Sequence, residues 1–188
     1  MEIVFKRPRV QYFHIPPVLD NIEQLYCCKL LGVIFQSNFK MDSHIQCVLS
    51  HCAQRMYLLK LLRHQGLPDA QLSVIANAVN ISRLFYTLPA RGGFLSVELM
   101  NKINVFFRRL QRFGYPRCRM TAAELTNKSD HDLFCKLCEP TYALNHLLPP
   151  ARNRVSLRTR GHSYQLPEYS TDLHEKSVLI RCLHSFVK

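Results

Sequence analysis

The longest regular pattern of hydrophobic residues in this chain lies between residues 41 and 65. Its apolar side chains recur at helical spacing, and six of them share one side of a helix: Ile45, Val48, Leu49, Cys52, Met56 and Leu59. In the last two turns four further apolar residues extend this surface to nearly every face: Tyr57, Leu58, Leu61 and Leu62. The pattern predicts a long helix that ends at Gly66 and is covered on both sides by other elements.

Shorter patterns flank this helix. Residues 29–35 form a short apolar run that contains one glycine and predicts a buried strand, and residues 2–5 predict a second strand. A lone strand needs a partner for its hydrogen bonds, and residues 30–35 are one candidate. Pro68 suits the first turn of a helix, which we predict over residues 68–86 and expect to end before Pro89.

A third helix is predicted between Ser96, a candidate N-cap, and Gly114. Its apolar residues fall on one side: Leu99, Met100, Ile103, Phe106, Phe107 and Leu110. Its basic residues fall on the other: Lys102, Arg108, Arg109 and Arg112. Short glycine-containing links then predict a small bundle of three antiparallel helices.

Residues 116–120 form a basic linker and the predicted subdomain boundary. After it, Thr121 and Glu124 have the spacing of a capping box, and Asp130 can cap a short helix that ends before Pro140. Residues 149–161 are predicted to be irregular, and residues 171–187 have roughly helical spacing.

The predicted fold is therefore mainly α (α+β), with a small β remnant at the N-terminus and an irregular basic C-terminal region that carries short helices. The predicted division has three parts: β-strands over residues 1–40, a helical bundle over residues 41–115, and a C-terminal region over residues 116–188.

Charge is the feature of the composition that most limits the range of possible functions. The chain has 25 Lys and Arg against 13 Asp and Glu, a formal net charge of +12. Such an excess favours a polyanionic partner, of which nucleic acid is the commonest, over the alternative of a merely solvated basic surface. The N-terminus lacks the layout of a signal peptide, and no apolar run is long enough to span a bilayer. We therefore expect an intracellular protein, in the nucleus or cytoplasm, with reduced thiols, no secretion and no membrane partner.

Two small clusters raise the question of a metal. Cys135 and Cys138 form the sequence's C-x-x-C, with His131 and His146 close enough in sequence to complete a four-ligand zinc set. The alternative, which we favour, places both cysteines on the buried side of a short helix. Asp130 and Asp132 flank His131, a pattern more typical of helix capping than of catalysis.

Basic residues with interleaved aromatics form two candidate nucleic-acid surfaces. The first contains Lys102, Arg108, Arg109, Arg112, Arg117 and Arg119, with Phe113 and Tyr115 among them. The second contains Arg152, Arg154, Arg158 and Arg160, near His162 and Tyr164. Arginine binds phosphate through two parallel hydrogen bonds and aromatic rings stack on bases, so we favour phosphate contact over a solvated helix face and loop.

An ordered series of segments extends over nearly the whole chain: residues 2–9 (EIVFKRPR), 29–33 (KLLGV), 44–45 (HI), 54–63 (QRMYLLKLLR), 82–86 (SRLFY), 146–152 (HLLPPAR) and 157–162 (LRTRGH). In this order the segments resemble the C-terminal part of a reverse transcriptase from a non-LTR retrotransposon of the jockey or CR1-like kind.

The resemblance implies a role for each region. Leu30, Leu31 and Gly32 resemble the primer-grip element at the palm–thumb junction, residues 41–115 resemble the thumb, and residues 116–188 resemble the tail after the polymerase domain. The implied partners are an RNA/DNA primer–template duplex and the missing palm and fingers. The complete polymerase would use Mg²⁺, whereas we expect no cofactor in this part of it.

The chain departs from the family in two respects. None of its aspartates stands in the tyrosine-alanine-aspartate-aspartate motif, so we expect no catalytic residue here and no activity of the chain alone. Arg91 stands where family members often have a tryptophan, which fits a decaying copy. Three hypotheses remain: a polymerase part that supplies primer grip and thumb, a stand-alone nucleic-acid-binding module, and a degenerate remnant without function.

Overall fold

The computed structural model describes residues 1–5, 12–86, 88–115, 121–151, 163–168 and 171–186. The chain divides into two compact units. The first contains Met1–Tyr86 and Phe94–Arg119, and the second contains Thr87–Gly93 and Met120–Lys188. Helices dominate both units, and two small two-stranded sheets accompany them, which confirms the predicted mainly α fold with a small β element.

The first unit begins with two pairs of short strands. Strand β1 (Glu2–Ile3) pairs in parallel with β2 (Gln24–Leu25), so the predicted strand over residues 2–5 is shorter than expected and its partner is not residues 30–35. Strands β3 (Cys27–Leu30) and β4 (Val33–Gln36) form an antiparallel hairpin. The prediction of a single strand over residues 29–35 was wrong, because the chain reverses at Leu31 and Gly32, whose φ angles are 47° and 82°.

Helix α1 (Asp42–His64) is the centre of the first unit and packs against β4, α2 (Asp69–Ala76) and α5 (Val97–Arg112). Its predicted apolar stripe is buried at Ile45, Cys52, Met56 and Leu59. Gly66 has a φ of 89°, the left-handed conformation that ends a helix, as predicted.

The last turns of α1 are covered on one side only. Tyr57, Leu58 and Leu61 face outward and are 67%, 54% and 43% exposed. The expectation that this end of the helix is covered on both sides was therefore wrong for the outward face.

The second predicted helix is interrupted. It consists of α2, a π-helical turn (Asn77–Ile81) and α3 (Ser82–Phe85). The π turn lies against α1 and accepts two hydrogen bonds from it. Arg55 Nη1 donates to the Val79 carbonyl oxygen at 2.7 Å, and the Cys52 thiol donates to the Asn80 carbonyl oxygen at 3.8 Å. Burial raises the pKa of Cys52 to about 11, so this thiol stays protonated at neutral pH.

Helix α5 begins and ends where the sequence predicts. The Ser96 side chain accepts a hydrogen bond from the backbone of Leu99, and Gly114 has a φ of 82°. The helix directions agree with the predicted bundle, since three successive antiparallel helices have their first and third helices parallel. The α2–α3 segment is antiparallel to α1, and α5 is parallel to it: Asp42 at the start of α1 lies close enough to Lys102, near the start of α5, to help raise its pKa, and the C-terminal ends of the two helices meet at Arg63 and Gly114.

The second unit is built from α4 (Leu88–Gly92), α6 (Ala122–Leu137), a 3-10 turn (Asn145–Leu147), α7 (Asp172–Glu175) and α8 (Val178–Ser185). The predicted capping box is present, since the Thr121 side chain accepts from Glu124 and the Glu124 side chain accepts from Thr121. The helical turn at residues 88–92 was not predicted.

A buried ion pair joins the helices of the second unit. Asp130 was predicted to cap a short helix, but it lies in the middle of α6 and is 4% exposed. Both of its carboxylate oxygens accept hydrogen bonds from Arg181 of α8 at 2.7 Å. Arg181 also donates to the carbonyl oxygens of Pro89 and Lys176, so one guanidinium fixes α4, α6 and α8 together.

Candidate nucleic-acid interface

The basic face of α5 follows from the burial of its apolar stripe. Five residues of that stripe are buried in the first unit: Leu99, Ile103, Phe106, Phe107 and Leu110. Because side chains of an α-helix advance by about 100° per residue, this burial turns the basic residues outward. All four basic residues predicted for this face are exposed: Lys102, Arg108, Arg109 and Arg112.

The four residues differ in their ion pairs. Lys102 Nζ lies 2.7 Å from Glu98 Oε1, and this hydrogen bond raises the pKa of Lys102 and lowers that of Glu98. Within the described parts of the chain, Arg108, Arg109 and Arg112 form no ion pair with an acidic residue. Their charges therefore remain open to an external anion.

The two aromatics interleaved with this cluster have other contacts. Tyr115 is buried and lies 5.2 Å from the Arg63 guanidinium, while the half-buried ring of Phe113 lies 4.3 Å from Lys60 Nζ. The interpretation that both rings stack on bases was therefore wrong for Tyr115, whose ring belongs to the core.

These contacts bring two basic residues that sequence reasoning missed, Lys60 and Arg63, to the same end of the unit as the α5 arginines. Both are basic residues near the C-terminal end of the helix predicted over residues 41–65, and this position could have marked them as candidates. That signal was not enough by itself, because the sequence does not show which side chains of α1 lie beside the end of α5.

The primer-grip-like residues form the tip of the β3–β4 hairpin. Leu30 and Leu31 are exposed, and Gly32 follows them in the left-handed conformation. The Tyr86 hydroxyl donates to the Leu31 carbonyl oxygen at 2.8 Å, and a Cβ at position 32 would lie 3.4 Å from the Tyr86 ring. The tip is therefore anchored to the residue that follows α3.

The remaining predicted residues lie outside the described part of the chain. They are Arg117 and Arg119 of the first cluster, and Arg152, Arg154, Arg158 and Arg160 of the second.

The candidate zinc ligands, His131, Cys135, Cys138 and His146, do not converge on one point. Cys135 is exposed and its Sγ lies 3.7 Å from His131 Nδ1, whereas Cys138 packs against the core cluster of Phe134, Cys182 and Leu183. The prediction that both cysteines face the core was thus right for Cys138 and wrong for Cys135.

The carboxylates show no catalytic arrangement either. Across the described ranges no three His, Cys, Asp or Glu side chains lie close enough to hold a metal ion. Of the two carboxylates that flank His131, Asp130 is paired with Arg181.

Comparison with protein-family models, with curated proteins and with solved structures finds no match for this chain. A search of the described helices for one with the length and apolar character needed to cross a membrane finds none.

Proposed function

We propose that this chain is the C-terminal part of a retrotransposon RNA-directed DNA polymerase, in which it holds the nucleic-acid backbone and supplies primer grip and thumb. The observation that carries the proposal is the outward face of α5, where Arg108, Arg109 and Arg112 have no acidic partner among the described residues. Three guanidinium groups on one rigid helix match a row of phosphates, because each can donate two parallel hydrogen bonds to phosphate oxygens.

The hairpin tip supports the polymerase part of this proposal. It is exposed yet fixed through Tyr86, as a loop must be if it is to hold a strand in one position. The α5 face alone would equally serve a stand-alone binding module. Adding the missing palm and fingers distinguishes the two, since only a polymerase part raises their primer extension.

Replacing Arg108, Arg109 and Arg112 with alanine should weaken binding to duplex nucleic acid more than about tenfold at 0.1 M salt, because three phosphate contacts are lost. All duplex sequences should be affected alike, since backbone contacts carry no base information. Fluorescence anisotropy with several labelled duplexes measures both effects.

The matched control removes the same charge from exposed positions of the second unit. Lys128, Lys136 and Lys176 are exposed, so changing them to alanine lowers the net charge equally. If the control variant loses as much affinity as the arginine variant, overall charge rather than the α5 face explains binding, and the proposal fails.

The isolated chain should not extend a primer on an RNA template with Mg²⁺ or Mn²⁺. Its sequence has no aspartate pair in a polymerase motif, and two-metal phosphoryl transfer requires carboxylates that converge on ions about 4 Å apart. A gel-based extension assay with a no-protein control measures this. Incorporation above that control would contradict the assignment of catalysis to a missing part.

A further inference from the structure

We infer that the nucleic-acid interface continues from α5 onto the outward face of α1, where Tyr57 stacks on an unpaired base. This inference rests on the proposed function and adds a ligand class to it: a single-stranded segment, bound beside the backbone held by the arginines.

A continuous path of neighbouring side chains links the two helices. Arg109 and Phe113 are four residues apart at the end of α5, a spacing that makes them neighbours on a helix surface. The Phe113 ring lies 4.3 Å from Lys60 Nζ of α1. Lys60 and Tyr57 are three residues apart and are again neighbours. The phosphate-binding face and Tyr57 therefore belong to one surface.

The exposure of Tyr57 needs an explanation that the fold does not give. The ring is 67% exposed, and Leu58 and Leu61 beside it are also exposed, although the opposite side of α1 is buried at Ile45, Cys52, Met56 and Leu59. An exposed apolar patch of this kind indicates an interaction site.

The charge around Tyr57, Leu58 and Leu61 indicates which class of partner binds this patch. Lys60, next to Tyr57, is exposed and forms no ion pair within the described residues, and the arginines of α5 continue the positive charge. A basic track with an exposed aromatic ring is the arrangement by which proteins bind single strands, because phosphates follow the charge while bases stack on the ring. A fully paired duplex cannot use the ring, since its bases already stack on each other.

The absence of tryptophan from the sequence provides a direct probe. In a Tyr57→Trp variant the indole is the single tryptophan, and stacking on a base should quench its emission when an oligo-dT single strand is added. A blunt duplex should bind without this quenching. A control Tyr26→Trp variant, at a tyrosine that is 74% exposed and lies between β2 and β3 of the same unit, should show no quenching with either ligand.

Affinity measurements complete the test. Tyr57→Ala should weaken oligo-dT binding about tenfold or more, since stacking of one base on an aromatic ring has an effect of that size, and should leave blunt-duplex binding within about twofold. Tyr57→Phe should keep the affinity of the unchanged protein, because it retains the ring.

The outcomes separate this inference from the proposed function. Unchanged oligo-dT affinity in Tyr57→Ala, together with unquenched emission in Tyr57→Trp, overturns the stacking role but leaves the α5 face intact if the triple arginine variant still loses binding. If Tyr57→Ala instead dissociates a dimer seen by light scattering, with nucleic-acid binding unchanged, the patch is a contact between copies and the inference is wrong.

Discussion

Replacing Asp130 with alanine is expected to destabilise the second unit by about 3–5 kcal/mol, the usual cost of removing one partner of a buried ion pair. The reason is the position of Arg181, whose guanidinium donates two hydrogen bonds to Asp130 at 2.7 Å and would keep a mostly buried charge without its carboxylate. Hydrogen exchange of peptides from α6 and α8 measures the effect within the second unit.

The neighbouring exposed carboxylate provides the control. Asp132→Ala, two residues along the same helix, should change the free energy of unfolding by less than about 0.5 kcal/mol. A double variant, Asp130→Leu with Arg181→Met, should recover part of the loss because no uncompensated charge remains. A loss below about 1 kcal/mol in Asp130→Ala would show that the pair does not hold these helices together.

Replacing Arg91 with methionine is expected to stabilise the second unit by roughly 1–3 kcal/mol. Arg91 is 2% exposed in α4, and burial lowers its pKa from 12.5 to about 10. A lowering of this size corresponds to about 3 kcal/mol against the charged form in the folded state. Methionine has a similar length and no charge, so it avoids this cost, and the expected gain is what remains after the contacts of the Arg91 guanidinium are lost.

The lowered pKa of Arg91 also determines how stability should depend on pH. At neutral pH Arg91 is charged in the folded and in the unfolded protein. As the pH rises above about 10, Arg91 loses its proton in the folded protein while it is still protonated in the unfolded protein. The contribution of Arg91 to stability should therefore rise with pH in that range.

Chemical denaturation at pH 7 compares Arg91→Met with Arg108→Met, an exposed control whose stability should change little. Destabilisation by Arg91→Met would show that contacts of the guanidinium outweigh its desolvation.

Features with local chemical signals were predicted correctly. Ser96 caps α5 through a neighbour three residues away, Thr121 and Glu124 form their capping box within one turn, and Gly66 and Gly114 adopt the left-handed conformation that glycine favours. Each needs only a few adjacent residues, so the sequence contains the whole interaction.

Features that depend on tertiary contacts were missed. A leucine gives no local signal for the positive φ of Leu31, so the sequence pattern predicts one strand where the structure has a hairpin. At the π turn, Arg55 of α1 donates a hydrogen bond to the Val79 carbonyl oxygen, 24 positions further along the chain. Asp130 and Arg181 are 51 positions apart, and no periodicity relates them.

The candidate site likewise contains residues that the sequence pattern predicts and residues that depend on tertiary contacts. Helical periodicity alone placed Arg108, Arg109 and Arg112 outward, because burying one stripe determines the opposite face. The contribution of Lys60 depends on which side chains of α1 lie beside the end of α5, and the sequence pattern does not specify that contact.

The most direct test of the α5 interface is the salt dependence of duplex binding. Each phosphate contact contributes a slope of about −0.9 to a plot of log K against log salt concentration. The variant with Arg108, Arg109 and Arg112 changed to alanine should therefore have a slope shallower by about two to three than the unchanged protein, with little change in stability, since exposed charges contribute little to folding. An unchanged slope would mean that the three arginines touch no phosphate, and would contradict the account.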